Sequence, residues 1–180
     1  MLDTFILFDR WITAQISSLL PHSAFFDGLF SFFSLHGLTF IIWVLLFFIF
    51  WYQERKDKTH HHFFFAFAAS FGLTSIMVNY VLKNVFLRAR PWIIQGIMNT
   101  GCPSDYSFPS GHASGAFAGA VVFAYFDKKR ALLYYGIATL ISLSRVYLGC
   151  HYMLDVVFGA LIGYLIGKVA IWLLSSRKIL

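Results

Sequence analysis

Long apolar runs broken by short polar islands set the pattern of this chain. The runs at 36–52, 61–83, 111–126, 131–148 and 153–174 approach the roughly 20 residues that a helix needs to cross a hydrocarbon core. They predict five transmembrane helices. The third run is short, but it begins at Pro109-Ser110 and ends at Asp127-Lys128-Lys129-Arg130. Its small residues, Ala113 to Ala116 and Ala118 to Ala120, predict tight packing at the centre of a bundle. Along the last run Gly159, Gly163 and Gly167 recur every fourth residue, a second ridge for close helix contact.

Residues 1–35 follow a different rule. Phe5 to Phe8 and Ile12 alternate with Asp3, Asp9, Arg10, Thr13 and Gln15, which is amphipathic at helical spacing. Charges at the middle of such a segment disfavour spanning. After the Pro21-His22-Ser23 break, Phe25 to Phe30 surround Asp27 and Gly28 in the same manner. Two interfacial amphipathic helices are expected here, with a sixth span as the alternative. The expected fold class is all-α: a polytopic membrane helical bundle forming a single domain over 1–180.

Composition sharpens this picture. Hydrophobic residues make up 59% of the chain, 22 of its residues are phenylalanine, and only 12% are charged, too few to coat a soluble globule. The net charge of +6 gathers at Arg55-Lys56-Asp57-Lys58, Lys128-Lys129-Arg130 and Arg177-Lys178. These are breaks between runs or the tail, which fits the positive-inside rule and not nucleic-acid binding. Placing 53–60, 127–130 and 175–180 in the cytoplasm puts eight of the 14 Lys and Arg there. The amino terminus then lies outside, and Lys83, Arg88, Arg90 and Arg145 gather on the opposite face. Trp51, Tyr52, Trp92 and Trp172 fall near predicted span ends. No cleavable signal peptide is evident, because Asp3, Asp9 and Arg10 interrupt the first apolar stretch. Cys102 and Cys150 are too few for a disulfide framework and lack zinc spacing. Both would lie outside; a pair of free buried thiols is expected, with a disulfide as the alternative. The His60-His61-His62 run reads as interfacial polarity.

Three polar islands carry chemistry. Lys83 and Arg90 are seven residues apart, about two helical turns, but Pro91 disfavours helix at Arg90 and sets it on the exit loop. Either arrangement lets an ammonium and a guanidinium approach one phosphate from two directions. Arg88 shares the segment and could touch a headgroup, though it is the more replaceable arginine. In Pro109-Ser110-Gly111-His112, Ser110 is an N-cap and Gly111 permits close backbone approach. The first turn behind them offers free N–H groups and a favourable dipole to an anion, with His112 facing it. In Ser144-Arg145…His151…Asp155, the last two have i, i+4 spacing. The carboxylate can hold one ring nitrogen and leave the other free to act as a nucleophile. Together these groups form an inventory for breaking a phosphate ester without a metal.

These islands resemble the three motifs of the type 2 phosphatidic acid phosphatase family, whose catalytic scaffold is shared with vanadium-dependent haloperoxidases. Lys83 to Arg90-Pro91 matches the first motif, residues 109–112 the second, and Ser144-Arg145, His151 and Asp155 the third, so residues 83–155 carry the resemblance. It implies that His151 forms a phosphohistidine, that Asp155 orients it, and that His112 protonates the leaving oxygen and later activates water. It implies a phosphoryl cradle of Lys83, Arg90, Ser110, Gly111 and Arg145, with no metal and no cofactor. Many members have six spans, whereas this chain is expected to lack the first and begin at the interfacial segment.

The resemblance implies a hydrolase acting on a membrane lipid phosphate in the bilayer of a bacterial inner membrane, its site facing the periplasm or exterior. A polyprenyl diphosphate, the undecaprenyl carrier of cell-wall synthesis, is the leading substrate. Phosphatidylglycerol phosphate, phosphatidic acid and lipid A are alternatives, and the short 92–108 loop leaves little room for a headgroup-reading domain. Haloperoxidase chemistry and a non-enzymatic lipid-phosphate transporter are remoter readings. The oligomeric state stays open.

Overall fold

The computed structural model describes residues 2–19, 21–34, 38–57, 62–95 and 102–176. Among these residues every regular element is helical. Helices α1 (Leu2–Leu19) and α2 (Ala24–Ser34) precede α3 (Leu38–Asp57). Helix α4 (Phe63–Ser75) continues through a π-helical stretch, Ile76–Leu82, into α5 (Lys83–Phe86). Short α6 (Pro91–Gln95) is followed by α7 (Gly111–Phe126), a 3₁₀ turn (Lys128–Arg130), α8 (Ala131–Tyr147) and α9 (Met153–Ser176). Each of the five apolar runs is therefore a helix. Phe63–Ile93 and Met153–Ser176 are long and apolar enough to cross a membrane, while Ala24–Ser34 and Gly111–Phe126 are apolar but shorter. His60-His61 and the Arg177-Lys178 tail fall outside the described residues.

Helix α7 is the hub, packing against α4, α8 and α9. Its small residues permit this: Ala113, Ala116, Ala118 and Ala120 are buried. The glycine ridge of α9 lies directly on it. A Cβ on Gly159 would sit 2.6 Å from the Ser110 carbonyl oxygen, and one on Gly163 would sit 2.7 Å from the Ser114 carbonyl carbon. At the far end Phe50, Phe63, Phe123 and Tyr134 form an aromatic core, with Trp43 stacked on Phe123 at 5.3 Å. Phe63 also packs on Phe126, so the start of α4 and the basic Lys128–Arg130 turn share one end of the bundle. The start of α7 lies at the other, about 24 Å away for 16 residues. Leu45, Phe65, Leu132, Leu165 and Trp172 project outward and exposed, as a bilayer-facing surface requires.

Two expectations change. Asp9, assigned to a wet face, is buried, because its carboxylate receives the Leu154 N–H and the Arg88 guanidinium. Cys102 and Cys150 form a disulfide instead of free thiols. The 102–108 loop folds back over the turn after α8, bringing their Cα atoms to 5.4 Å across 48 residues of sequence.

Candidate active site

The chain leaves α5 in a left-handed turn at Leu87 (φ 49°), which stops the helix and frees residues 87–90. Arg90 therefore stands on a loop, as Pro91 dictates, and its guanidinium is almost fully buried. Its Nε donates to the Asp105 carbonyl at 2.7 Å and one terminal nitrogen to the Asp105 carboxylate at 2.5 Å. The other meets the Cys150 carbonyl at 2.9 Å and His151 Nε2 at 3.0 Å. Lys83, buried at the end of the π-helical stretch, pairs with the same Asp105 carboxylate. Burial pushes the Asp105 carboxyl upward, but its hydrogen bonds and charge contacts with Lys83 and Arg90 outweigh this and hold it below the usual carboxylate range.

Gly149, at φ 67°, turns the chain after α8 and delivers His151 to the interior. The imidazole is 1% exposed. Because a guanidinium can only donate, Nε2 is the acceptor and the ring proton belongs on Nδ1. Nδ1 faces Asp155 Oδ2 and Ser107 Oγ, each at 3.4 Å. Ser107 also donates to Asp155. Asp155 is the third residue of α9, and its carboxylate accepts the Tyr152 N–H at 2.9 Å, one half of a capping box. Burial pushes the His151 pKa down to about 4 against the pull of Asp155, with Arg90 and Arg145 adding to the depression. His151 is thus neutral at neutral pH, with the Nε2 lone pair turned toward the cations.

Ser110 caps α7 by accepting the Ala113 N–H at 3.4 Å, and its own N–H donates to the Asp155 carbonyl at 2.9 Å. That bond ties the second motif to the third. A Cβ on Gly111 would meet only the amide end of the exposed Asn79 side chain, 2.8 Å from Oδ1, a group that can swing aside. Arg145 is buried on α8 and held by Ser34 at the end of α2. Its Nε and remaining terminal nitrogen are buried with no hydrogen-bond partner among the described residues, an arrangement that costs free energy unless a further acceptor such as an anion completes it.

Lys83, Arg90, Asp105, Gly111 and His112 line one end of a cavity of about 870 Å³ bounded by α3, α4 and α7. The rest is aromatic: Trp43, Phe47, Phe64, Phe67 and Phe71. Gly111, Gly115 and Ala116 of α7 line it as well, Gly111 facing Asn79 and Gly115 facing Phe71. His112 and His151 are near enough to interact electrostatically. The structure therefore brings all eight predicted site residues to one place. Three cations, Lys83, Arg90 and Arg145, gather there beside the helix start of α7, with the Asp105 carboxylate on Lys83 and Arg90 and the Asp155 carboxylate behind His151. The geometry is that of a site for a multiply charged anion.

The sequence patterns missed Asp105, Ser107 and Ser34, which hold these groups in place. They also missed the role of Arg88, which joins Asp155 to Asp9. The polar Ser104-Asp105-Tyr106-Ser107 stretch before Phe108-Pro109 was the available signal for the first two.

The order and spacing of these groups agree with a wider comparison, in which the family model for the PAP2 superfamily matches residues 65–179. The chain belongs to the PAP2 superfamily. Among PAP2 relatives it is 30% identical over 105 residues to the undecaprenyl-diphosphatase BcrC of Bacillus subtilis, covering 56% of this chain and 53% of that protein. It is 36% identical over 109 residues to an undecaprenyl-diphosphatase of Sulfolobus acidocaldarius, covering 58% and 52%. Against phosphatidylglycerophosphatase B of Bacillus subtilis it is 36% identical over 104 residues, covering 52% and 49%. The chain thus spans about half the length of the curated relatives it matches. In fold it resembles the crystal structure of a transmembrane PAP2-type phosphatidylglycerolphosphate phosphatase from Bacillus subtilis. The TM-score is 0.72 at 24% identity, covering 98% of this chain and 88% of that one.

Proposed function

We propose that this PAP2 protein hydrolyses a lipid phosphate or diphosphate without a metal, through a phosphohistidine on His151. The observation that carries the reading is the buried cationic end of the cavity. Beside it two guanidinium nitrogens of Arg145 have no partner among the described residues, and Arg90 links the cavity to Nε2 of a neutral His151. Arg90, Lys83 and Arg145, with the Ser110–Gly111 helix start, receive the phosphoryl oxygens and offset the charge that develops on them. The Nε2 lone pair attacks phosphorus as the bond to the leaving oxygen breaks. Asp155 accepts the Nδ1 proton's hydrogen bond and steadies the positive charge that appears on the ring. His112, protonated when the phosphate is bound, gives that proton to the leaving oxygen, then takes one from the water that attacks phosphorus as the phosphorus–nitrogen bond breaks. Inorganic phosphate leaves and His151 is restored.

The aromatic remainder of the cavity supports a hydrocarbon substrate, since a tail fits between α3 and α4 along Gly111 and Gly115 of α7. We assign five transmembrane helices, α3, α4 with its π-helical and α5 extension, α7, α8 and α9, with α1 and α2 at the interface. The site lies at the bundle end opposite Lys128–Arg130, so the positive-inside rule puts it on the periplasmic or exterior face of the bacterial inner membrane. A polyprenyl diphosphate is the favoured substrate, supported by relatives named for undecaprenyl diphosphate. Phosphatidylglycerol phosphate, phosphatidic acid and lipid A are the alternatives. The test is phosphate release in detergent from these four lipids in competition, with and without EDTA. The expected outcome is EDTA-resistant turnover with the highest kcat/KM for the polyprenyl diphosphate. Activity that vanishes with EDTA and returns with Mg²⁺ contradicts the mechanism.

A further inference from the structure

Asp155 has no solvent exposure, and a neutral His151 cannot balance its charge. The cation that does so is Arg88, which belongs to none of the three motifs. One terminal nitrogen of Arg88 lies 2.5 Å from Asp155 Oδ1 and the other 2.6 Å from Asp9 Oδ2. The guanidinium is seated over the Tyr152 ring at 4.1 Å. Asp9 comes from α1, well outside the 83–155 segment, and is 1% exposed.

The amino-terminal helix also completes the start of α9. Asp9 Oδ1 accepts the Leu154 N–H at 2.9 Å, and Thr13 Oγ1 accepts the Met153 N–H at 2.9 Å. Together with the Tyr152 N–H on Asp155, three successive N–H groups at the start of α9 are satisfied. Two of the three acceptors are supplied by α1. These are donors that a helix start leaves without intrahelical partners. The carboxylate that faces His151 is therefore fixed from behind by one charge and two hydrogen bonds that trace back to α1.

We propose that Arg88 and Asp9 are positioning residues of the catalytic centre, α1 acting through Arg88 to hold the Asp155 carboxylate against His151. This rests on the reading of His151 as the nucleophile. Arg88 and Asp9 touch no reacting atom; they act through Asp155. A purely structural ion pair would instead matter for folding alone, and the two roles separate by their effect on the His151 ring.

The groups that face His151 are Asp155 and Ser107 at Nδ1, Arg90 at Nε2, and Arg145, with His112 nearby. Removing the Arg88 charge leaves the Asp155 charge less compensated, which favours the imidazolium. Arg88→Gln is expected to lower kcat ten- to a hundredfold with KM changed less than threefold. It should raise the acid limb of kcat/KM by about one pH unit, the usual scale for one charge acting at close range. Arg88→Lys should leave that limb in place. Asp9→Asn keeps an acceptor for the Leu154 N–H but removes the negative charge that faces Arg88, so it should lower kcat without raising the limb. His151 ring titration followed by NMR on ¹³C-labelled histidine reads the same effect without turnover, with His151→Ala assigning the signal. If Arg88→Gln leaves both the titration and kcat per folded enzyme unchanged, the positioning role is overturned. If His151→Ala retains turnover, the proposed mechanism fails. The NMR titration still decides whether Arg88 acts on His151.

Discussion

Gly163→Ala tests whether the α7–α9 contact sets the geometry of the site. A Cβ at Gly163 would lie 2.7 Å from the Ser114 carbonyl carbon and 2.8 Å from its Cα, against about 3.5–4.0 Å for an ordinary carbon contact. The obstacle is backbone, and the Ser114 carbonyl oxygen lies nearer still, so the two helices must part by more than about 1 Å to reach that range. Overpacking of this kind costs about 1–3 kcal/mol, and roughly 1 kcal/mol returns because alanine favours helix over glycine. Gly163 lies eight residues beyond Asp155, about 12 Å along α9, and Ser110 N–H to Asp155 carbonyl, at 2.9 Å, is the joint that feels the separation. A displacement near 1 Å at a catalytic group costs on the order of a hundredfold in rate. Gly136→Ala on α8 is the control, since nothing lies within 4 Å of its added carbon. Thermal unfolding in one detergent, followed by tryptophan fluorescence, and phosphate release per folded enzyme are the two assays. Gly163→Ala should fall in both, and Gly136→Ala should hold or gain. A Gly163→Ala protein as stable and active as the parent, or an equal loss in the control, refutes the reasoning.

Further outcomes follow from the same geometry. Since burial holds the His151 pKa down to about 4, kcat/KM should fall only as pH drops toward 4, below the ordinary histidine value near 6.5. The depressed pKa means that the unfolded chain takes up this proton first, so protonation lowers stability from about pH 6.5 down to 4; an acid limb centred at 6.5 counts against a buried neutral nucleophile. Denatured, unreduced protein should resist thiol alkylation and take up two labels only after reduction, because Cys102 and Cys150 are paired. Reduction should also lower activity, since that bond anchors the loop bearing Asp105 and Ser107, and a closure of 48 residues is worth up to about 4 kcal/mol in the chain-entropy account. Ser107→Ala removes a hydrogen bond to Asp155 and a partner of His151 Nδ1; kcat should drop about tenfold with KM steady, and an unchanged kcat would mean that Asp155 alone sets the ring.

Much of this architecture was legible because it is periodic or local. The five apolar runs became helices, and the Gly159, Gly163 and Gly167 ridge met the small-residue helix α7. Lys83, Arg90, Ser110, Gly111, His112, Arg145, His151 and Asp155, which lie together in the fold, could be singled out because fixed spacing and residue chemistry pointed to them. Their supporting partners follow no local rule. Ser34 reaches Arg145 across 111 residues, Arg88 reaches Asp155 across 67 and Asp9 across 79. The disulfide was hidden in the same way, since only the return of the 102–108 loop brings its two ends together. Asp9 misled because a charge in an amphipathic segment ordinarily faces water, whereas here a half-buried arginine and a helix start receive it.

The central claim is that His151 takes the phosphoryl group. The most direct measurement is rapid quenching of the protein during turnover of a ³²P-labelled lipid diphosphate, followed by mapping of the labelled peptide. Acid-labile, base-stable phosphate is expected on His151 and is expected to be absent from His151→Ala. Turnover with no label on His151, or phosphate release that survives His151→Ala, would contradict it.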